Sequence, residues 1–153
     1  MGVKVHSFQF NPFQENTFVI YDQEKNCLII DPGCYERHEE EVLFGFIEEN
    51  NLKPIALINT HAHIDHILGN AAVKSKYNIP LYLHKEDLST LHSVESYAHV
   101  YGFEKYKTSI DMITTSEVAV SVTIDNTLNL DQISKELQPL GELEVLADQT
   151  IVF

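Results

Sequence analysis

The sequence predicts an α/β fold, and two observations support this prediction. Aliphatic runs of strand length alternate with amphipathic helical segments between residues 3 and 84, the order of a sheet covered by helices. Residues 118–124 alternate apolar and polar side chains with period two, which is typical of a half-buried antiparallel strand. We therefore expect a mixed sheet that carries helices.

The predicted elements follow one another with short connections. Strands are predicted at residues 3–10, 17–21 and 27–30, separated by polar segments of turn composition and ended by the sequence Asp31-Pro32-Gly33. A helix is predicted over residues 38–51, because glutamates crowd its first turn and apolar residues recur with helical spacing. Residues 55–58 form the next predicted strand, residues 68–77 a second helix and residues 79–84 a further strand.

Length and composition are those of one globular domain. The chain has 153 residues, of which 44% are hydrophobic and 22% charged, enough for one core but few for two. Its net charge of −13 argues against nucleic acid or an anionic membrane as a partner. Because no apolar run reaches membrane-spanning length and the two cysteines form no Cys-x-x-Cys pair, we expect a cytoplasmic protein with free thiols.

Residues 59–69, Asn-Thr-His-Ala-His-Ile-Asp-His-Ile-Leu-Gly, concentrate metal-binding side chains directly after a predicted buried strand. His61 and His63 are two positions apart on extended backbone, so both imidazoles can point the same way. Asp65 and His66 follow where the chain turns into a helix. Imidazole and carboxylate groups are ligands for zinc or a similar divalent ion. The alternative, a polar loop with solvated histidines, suits a lone histidine better than four donors at this spacing.

This segment resembles the Thr-His-x-His-x-Asp-His signature of the metallo-beta-lactamase superfamily, particularly its glyoxalase-II-like hydrolases, with every fixed position present. The resemblance implies that His61 and His63 bind one metal ion and that Asp65 and His66 bind a second, with zinc as the expected metal. It also implies that Asp31 supports the histidine loop by hydrogen bonding to a ligand imidazole. A turn-capping aspartate is the alternative role for Asp31.

The resemblance runs from residue 3 to residue 106 and then ends. Members of the family continue with a Pro-Gly-His loop, a bridging aspartate and a final histidine, whereas the last histidine of this chain is His99. At most four of the seven usual ligands are therefore expected, which implies weak metal binding and leaves catalysis open. His84 and His92 are conceivable substitutes, although His84 is expected to be an exposed loop residue.

Residues 107–153 have a different character. Strands are predicted at residues 109–113, 118–124 and 143–153, with a helix between Asn129 and Pro139. Residues 105–125, this helix and residues 148–153 resemble the regulatory ACT domain of bacterial aspartate kinases. The resemblance implies an amino-acid effector pocket to which Ser109, Asp111 and Thr115 contribute, although the Gly-Phe-Leu turn of the kinase family is missing.

Together the two resemblances describe a chimera. Residues 1–106 would be half of a metallo-beta-lactamase αββα fold, and residues 107–153 an ACT-like β-β-α-β segment joined to it near residues 103–107. Natural recombination, engineering or an assembly error would each produce such a join. Residues 79–84 are expected to replace the missing ACT strand, and residues 95–107 its missing helix.

Two functions follow from these resemblances. The first is a metal-dependent hydrolase that acts on a small-molecule thioester, ester or amide. The second is a non-catalytic module that binds an amino acid or pairs with another copy, and a folded chimera without activity is the third possibility. A homo-oligomer is expected, because each half leaves apolar sheet surface without its usual cover. The edges of residues 79–84 and 143–153 are the expected contacts.

Overall fold

A five-stranded sheet organises the part of the chain that the computed structural model describes, namely residues 2–113, 144–145 and 151–152. Strands β1 to β3 pair antiparallel, and β3 to β5 pair parallel, so the sheet is mixed as predicted. The strands are β1 (Lys4–Phe10), β2 (Glu15–Tyr21), β3 (Asn26–Ile30), β4 (Lys53–Ile58) and β5 (Leu81–Tyr82).

Four α-helices accompany these strands within the described residues. They are α1 (Arg37–Glu49), α2 (Ile64–Ile67), α3 (Asn70–Tyr77) and α4 (Leu88–Tyr97), with short 3₁₀ turns at Lys85–Asp87, Ala98–Tyr101 and Ile110–Met112. The predicted helices over residues 38–51 and 68–77 are confirmed, apart from their ends, as α1 and α3. A capping box between Glu36 and Glu39 starts α1, and Asn78 ends α3 in the left-handed conformation at φ 50°.

Two apolar clusters fix the histidine segment and the elements next to it. In the first cluster, Leu43 and Ile47 of α1 and Val73 of α3 pack with side chains of the sheet. In the second, Ile67 of α2 packs with Leu91 of α4 and with Phe103. All of these side chains except Phe103 are at most 1% exposed, so the segment between β4 and α3 is anchored on both sides.

Several predictions for the region after residue 78 are wrong in detail. Strand β5 covers only Leu81–Tyr82 of the predicted residues 79–84 and pairs parallel with β4, and its expected replacement of an ACT strand stays a prediction. The predicted helix over residues 95–107 stops early, because a 3₁₀ turn follows α4 and Gly102 leaves helical geometry at φ 85°. The predicted strand at residues 109–113 is instead a 3₁₀ turn over Ile110–Met112, followed by a single parallel bridge between Ile113 and Leu81.

The strand predicted over residues 143–153 is also not continuous. Its described residues form two short strands, β6 (Glu144–Val145) and β7 (Ile151–Val152), which pair antiparallel with Glu144 opposite Val152. The strand predicted at residues 118–124, the helix predicted to begin at Asn129, and Thr115 all lie outside the described residues.

Candidate metal centre

The histidine segment lies at the carboxyl ends of two parallel strands. Because β3 and β4 run parallel, Asp31 after β3 and Thr60 after β4 emerge side by side at one edge of the sheet. The backbone N–H of Asp31 donates to the Ile58 carbonyl at 2.9 Å, which ties the two strand ends together. The side chains that come after each strand are therefore brought to a common place by the topology.

Asp31 is a fully buried carboxylate that faces the histidine loop. Its Oδ1 accepts a hydrogen bond from the Thr60 backbone N–H at 2.8 Å, and its Oδ2 accepts from the Thr60 hydroxyl at 2.6 Å. The same Oδ2 lies 3.1 Å from His66 Nδ1. Asp31 also has a left-handed backbone with φ 48°, a sparsely populated conformation that functional sites often contain.

Proton counting fixes the tautomers of two imidazoles. The Thr60 hydroxyl has one proton, and that proton goes to Asp31, because an ionised carboxylate can only accept. The 2.9 Å contact between Thr60 Oγ1 and His61 Nδ1 is then donated by the imidazole N–H. His66 likewise donates its Nδ1 proton to Asp31. In the neutral form of each ring Nε2 is therefore the unprotonated nitrogen, the atom that can bind a metal ion.

The structure brings the four side chains of the histidine motif together. The ring of His61 lies with its centroid 4.5 Å from that of His63 and 4.1 Å from that of His66. Asp65 Oδ2 lies 3.4 Å from His66 Nε2. Imidazole and carboxylate are ligand types of zinc and similar divalent ions, but the group of described residues whose ligand atoms all lie within 4.8 Å of one another contains His61 and His66 and neither His63 nor Asp65.

Asp31 is close enough to be considered a ligand itself. One ligand atom each from Asp31, His61 and His66 lies within 4.8 Å of the other two. Both oxygens of Asp31, however, already accept hydrogen bonds from the histidine loop. The contacts therefore favour a carboxylate that orients the imidazoles from the side away from a metal ion, rather than one that caps its own turn.

The two histidines next to Asp31 differ in proton affinity. Burial lowers the pKa of His66, but its hydrogen bond to Asp31 and the charges of Asp31 and Asp65 outweigh burial, so its pKa is raised overall. The pKa of His61 is lowered, first by burial and then by the neighbouring His66. The lowered pKa favours the neutral form of His61, whereas a proton competes more strongly with a metal ion for His66.

Glu15, which the sequence patterns did not single out, is a buried carboxyl beside this site. Its Oε1 has no hydrogen-bond partner and lies 3.7 Å from His66 Nδ1, and its Oε2 lies 2.9 Å from the Thr17 hydroxyl. Burial raises the pKa of Glu15 to about 9, so the group is protonated at neutral pH. Nothing in the sequence distinguishes Glu15 from the turn residues around it, because its burial arises only from the tertiary fold.

A buried amide network also supports the loop. Asn59 and Asn70 exchange two side-chain hydrogen bonds of 3.1 and 2.8 Å, and Asn59 also donates to the His66 carbonyl at 3.2 Å. Asn70 donates further to the Ser109 hydroxyl at 3.0 Å. Ser109 is therefore buried and engaged in this network, whereas Asp111 is exposed. The effector pocket proposed for these residues with Thr115 stays a prediction.

The two histidines considered as substitute ligands lie at the surface, and neither belongs to the group of Asp31, His61 and His66 whose ligand atoms lie close together. His84 is exposed, as predicted, and its Nδ1 lies 3.4 Å from the backbone nitrogen of Glu86 at the start of a 3₁₀ turn. His92 is exposed on α4. No described helix is long and apolar enough to cross a membrane.

The mixed sheet, the helices beside it and the histidine cluster at its edge define an α/β protein with a candidate metal centre. The family model described as the metallo-beta-lactamase superfamily matches residues 10–123, and the chain belongs to this superfamily. The match continues past residue 106, the predicted end of the resemblance. The division into residues 1–106 and an ACT-like segment at 107–153 stays a prediction.

Curated relatives match the first part of the chain. The "Probable metallo-hydrolase YqgX" of Bacillus subtilis (strain 168) is 39% identical over 80 residues, which are 52% of this chain and 36% of that protein. The "Hydroxyacylglutathione hydrolase GloC" of Haemophilus influenzae is 34% identical over 91 residues, which are 59% of this chain and 41% of that protein. The chain thus spans about two fifths or less of the length of these relatives.

Solved structures with the same fold include a B3 metallo-beta-lactamase, BLEG-1. It has a TM-score of 0.63 and 28% identity, covering 78% of this chain and 57% of its own. TTHA1623, described in a di-iron-bound form, has a TM-score of 0.57 and 28% identity, covering 67% of this chain and 49% of its own. The fold of the described residues is therefore that of metal-binding members of the superfamily.

Proposed function

We propose that this chain is a metal-dependent hydrolase of the glyoxalase-II-like kind, acting on a small-molecule thioester, ester or amide. The observation that supports this proposal most is the pair of imidazoles, His61 and His66, that are held through Nδ1 and keep Nε2 free. The names of the relatives, a probable metallo-hydrolase and a hydroxyacylglutathione hydrolase, favour the same reaction class.

The residues of the site have different roles in this proposal. His61, His63, Asp65 and His66 hold the metal, for which zinc is proposed. When bound, a divalent ion at such a site polarises a carbonyl group and makes water nucleophilic near neutral pH. Asp31 fixes the orientation of His66 and increases the basicity of its free nitrogen, because a carboxylate that accepts the Nδ1 proton stabilises positive charge on the ring.

Metal binding is expected to be weaker than in a seven-ligand relative. The motif supplies three imidazoles and one carboxylate, whereas the two metal sites of such a relative share seven ligands. The affinity for a metal ion depends on the number of its ligands. Activity should therefore depend on added metal, and dilution without metal should reduce it. Iron is the alternative metal to zinc, since a similar structure is described in a di-iron-bound form.

The direct test is hydrolysis of a hydroxyacylglutathione thioester by the full chain with zinc or iron added. We expect metal-dependent turnover that is lost in the double variant His61→Ala/His63→Ala. The matched control is His38→Ala/His99→Ala, which removes two exposed histidines of α1 and of the 3₁₀ turn after α4. Turnover that is equal in both double variants, or no turnover with either metal, would contradict the proposed function.

A further inference from the structure

Asn11, in the turn between β1 and β2, connects three separate segments of the chain. Its side-chain Nδ2 donates to the Gly33 carbonyl at 2.9 Å and to the Asp65 carbonyl at 3.0 Å. Its Oδ1 accepts from the Phe13 backbone N–H at 3.0 Å. Because donors and acceptors of the amide are both satisfied in this orientation, the assignment of its nitrogen and oxygen is fixed by the contacts.

Glu39 of α1 holds Asn11 in turn. Its Oε1 accepts a hydrogen bond from the Asn11 backbone N–H at 2.6 Å. Its Oε2 accepts from the backbone N–H groups of Tyr35 and Glu36 at 2.8 and 3.1 Å. The carboxylate that starts the helix therefore also ties the β1–β2 turn to it, and charge-assisted bonds of this kind are stronger than neutral ones.

The three segments meet so closely that only glycine fits at residue 33. A Cβ added to Gly33 would lie 2.6 Å from the Asp65 carbonyl oxygen and 2.8 Å from Asn11 Nδ2. Both distances are well below a normal van der Waals contact. The backbone of the histidine motif is thus packed directly against the Asp31-Pro32-Gly33 turn, with the Asn11 amide bonded to both.

The hydrogen bond from Asn11 matters for Asp65 because the helix that contains Asp65 is short. Helix α2 has four residues, too few to be stable by itself. The Asp65 carboxylate nevertheless lies 3.4 Å from His66 Nε2, the ring nitrogen that does not bond to Asp31. A fixed backbone carbonyl at Asp65 limits the directions in which its side chain can point.

We propose that Asn11 is a positioning residue for Asp65, whose carboxylate it aligns with the histidines by holding the Asp65 backbone carbonyl. This inference rests on the proposed function, since Asp65 is a metal ligand only if the site binds metal. Glu39 contributes to the positioning of Asp65, because it fixes the turn that carries Asn11.

The test is a double-mutant cycle on zinc affinity, measured by competition with a chromophoric chelator. Asn11→Asp keeps the shape but faces two carbonyl oxygens with a carboxylate, and we expect it to lower affinity by about tenfold or more. In an Asp65→Asn background the same change should cost nothing further, because the positioned ligand is already removed. An equal loss in both backgrounds would show a merely structural role for Asn11, and no loss would overturn the proposal.

The matched control is Asn26→Asp at the other end of β3. Asn26 Nδ2 donates to Asp22 Oδ2 at 3.0 Å, so this change also turns an amide donor into a carboxylate that faces oxygen. It should leave zinc affinity within about twofold of the parent chain, a difference of about 0.4 kcal/mol. A loss as large as that of Asn11→Asp would mean that general destabilisation explains both.

A metal-free readout separates this inference from the proposed function. The His66 backbone N–H donates to the His63 carbonyl at 3.0 Å within the start of α2. Its hydrogen exchange should become at least about tenfold faster in Asn11→Asp than in Asn26→Asp, as expected when a local anchor is lost. If the parent chain binds no zinc, the proposed function fails, and unchanged exchange at His66 would overturn the anchoring by Asn11 independently.

Discussion

Thr60 shows how one hydroxyl proton determines the chemistry of its neighbours. Because that proton goes to Asp31, His61 must donate from Nδ1, and its Nε2 is left free. The motif predicted which histidines lie together, since their spacing is a local property of the chain. It did not predict Glu15 or Asn11, whose roles depend on contacts with residues distant in the sequence, such as His66 and Gly33.

At the residue scale, Glu15→Gln should stabilise the metal-free protein in a pH-dependent way. The pKa of Glu15 is raised to about 9 in the folded chain, so between its ordinary value and pH 9 the folded state holds a proton that the unfolded state has lost. Stability from this proton is full below the ordinary pKa and falls as pH rises toward 9. The glutamine variant has no such loss.

We therefore expect Glu15→Gln to be more stable than the parent by at least about 1 kcal/mol at pH 8, with little difference at pH 4.5. Chemical denaturation with a chelator present measures this. The control is Glu49→Gln, an exposed carboxyl on α1. A difference between the Glu15 variant and the parent that does not grow with pH would contradict the protonated state of Glu15.

At the element scale, the junction between α2 and α3 is pressed against the turn after β3. The Gly69 backbone N–H donates to the Pro32 carbonyl at 2.7 Å, and a Cβ on Gly69 would lie 2.8 Å from that carbonyl oxygen and 2.5 Å from Cys34 Sγ. Helices α1 and α3 were predictable because their apolar spacing is local. The 3₁₀ turn at Ile110–Met112 was not, because Ser109 is fixed by a hydrogen bond from distant Asn70.

Gly69→Ala should therefore destabilise the fold by about 1 to 3 kcal/mol, the usual cost of overpacking a rigid site. The reason is that the Pro32 carbonyl is backbone and cannot move aside as a flexible side chain would. Gly45→Ala on α1 is the matched control, because its added Cβ meets nothing within 4 Å. That change should be neutral or stabilising by up to about 1 kcal/mol. Equal denaturation midpoints for the two variants would contradict the close packing at Gly69.

At the scale of the whole molecule, periodicity and turn residues were sufficient for the order of elements between residues 3 and 84. The superfamily match confirms the fold class of that region and extends to residue 123. The region after β5 was harder to predict, because Leu81 forms a bridge with Ile113, a contact between residues far apart in sequence. This bridge also occupies part of the β5 edge that was expected to pair with another copy.

Self-association stays a prediction for this chain. Apolar sheet surface is seldom left exposed on a monomer, and at physiological salt the repulsion from a net charge of −13 per chain is largely screened beyond about 8 Å. We expect light scattering at micromolar concentration to give a mass of at least two chains. The mass of a single chain, unchanged on dilution, would show that the chain covers its own apolar surfaces.

The histidine motif, oriented by Asp31, is expected to hold a divalent ion. Zinc uptake by the metal-free chain, measured by equilibrium competition at pH 7.5 and again at pH 5.5, tests this most directly. We expect one or two ions per chain, weaker binding at the lower pH because the pKa of His66 is raised, and retention of uptake in the His38→Ala/His99→Ala control. Uptake should disappear in His61→Ala/His63→Ala. Unchanged zinc uptake in that variant would contradict metal binding by the histidine motif.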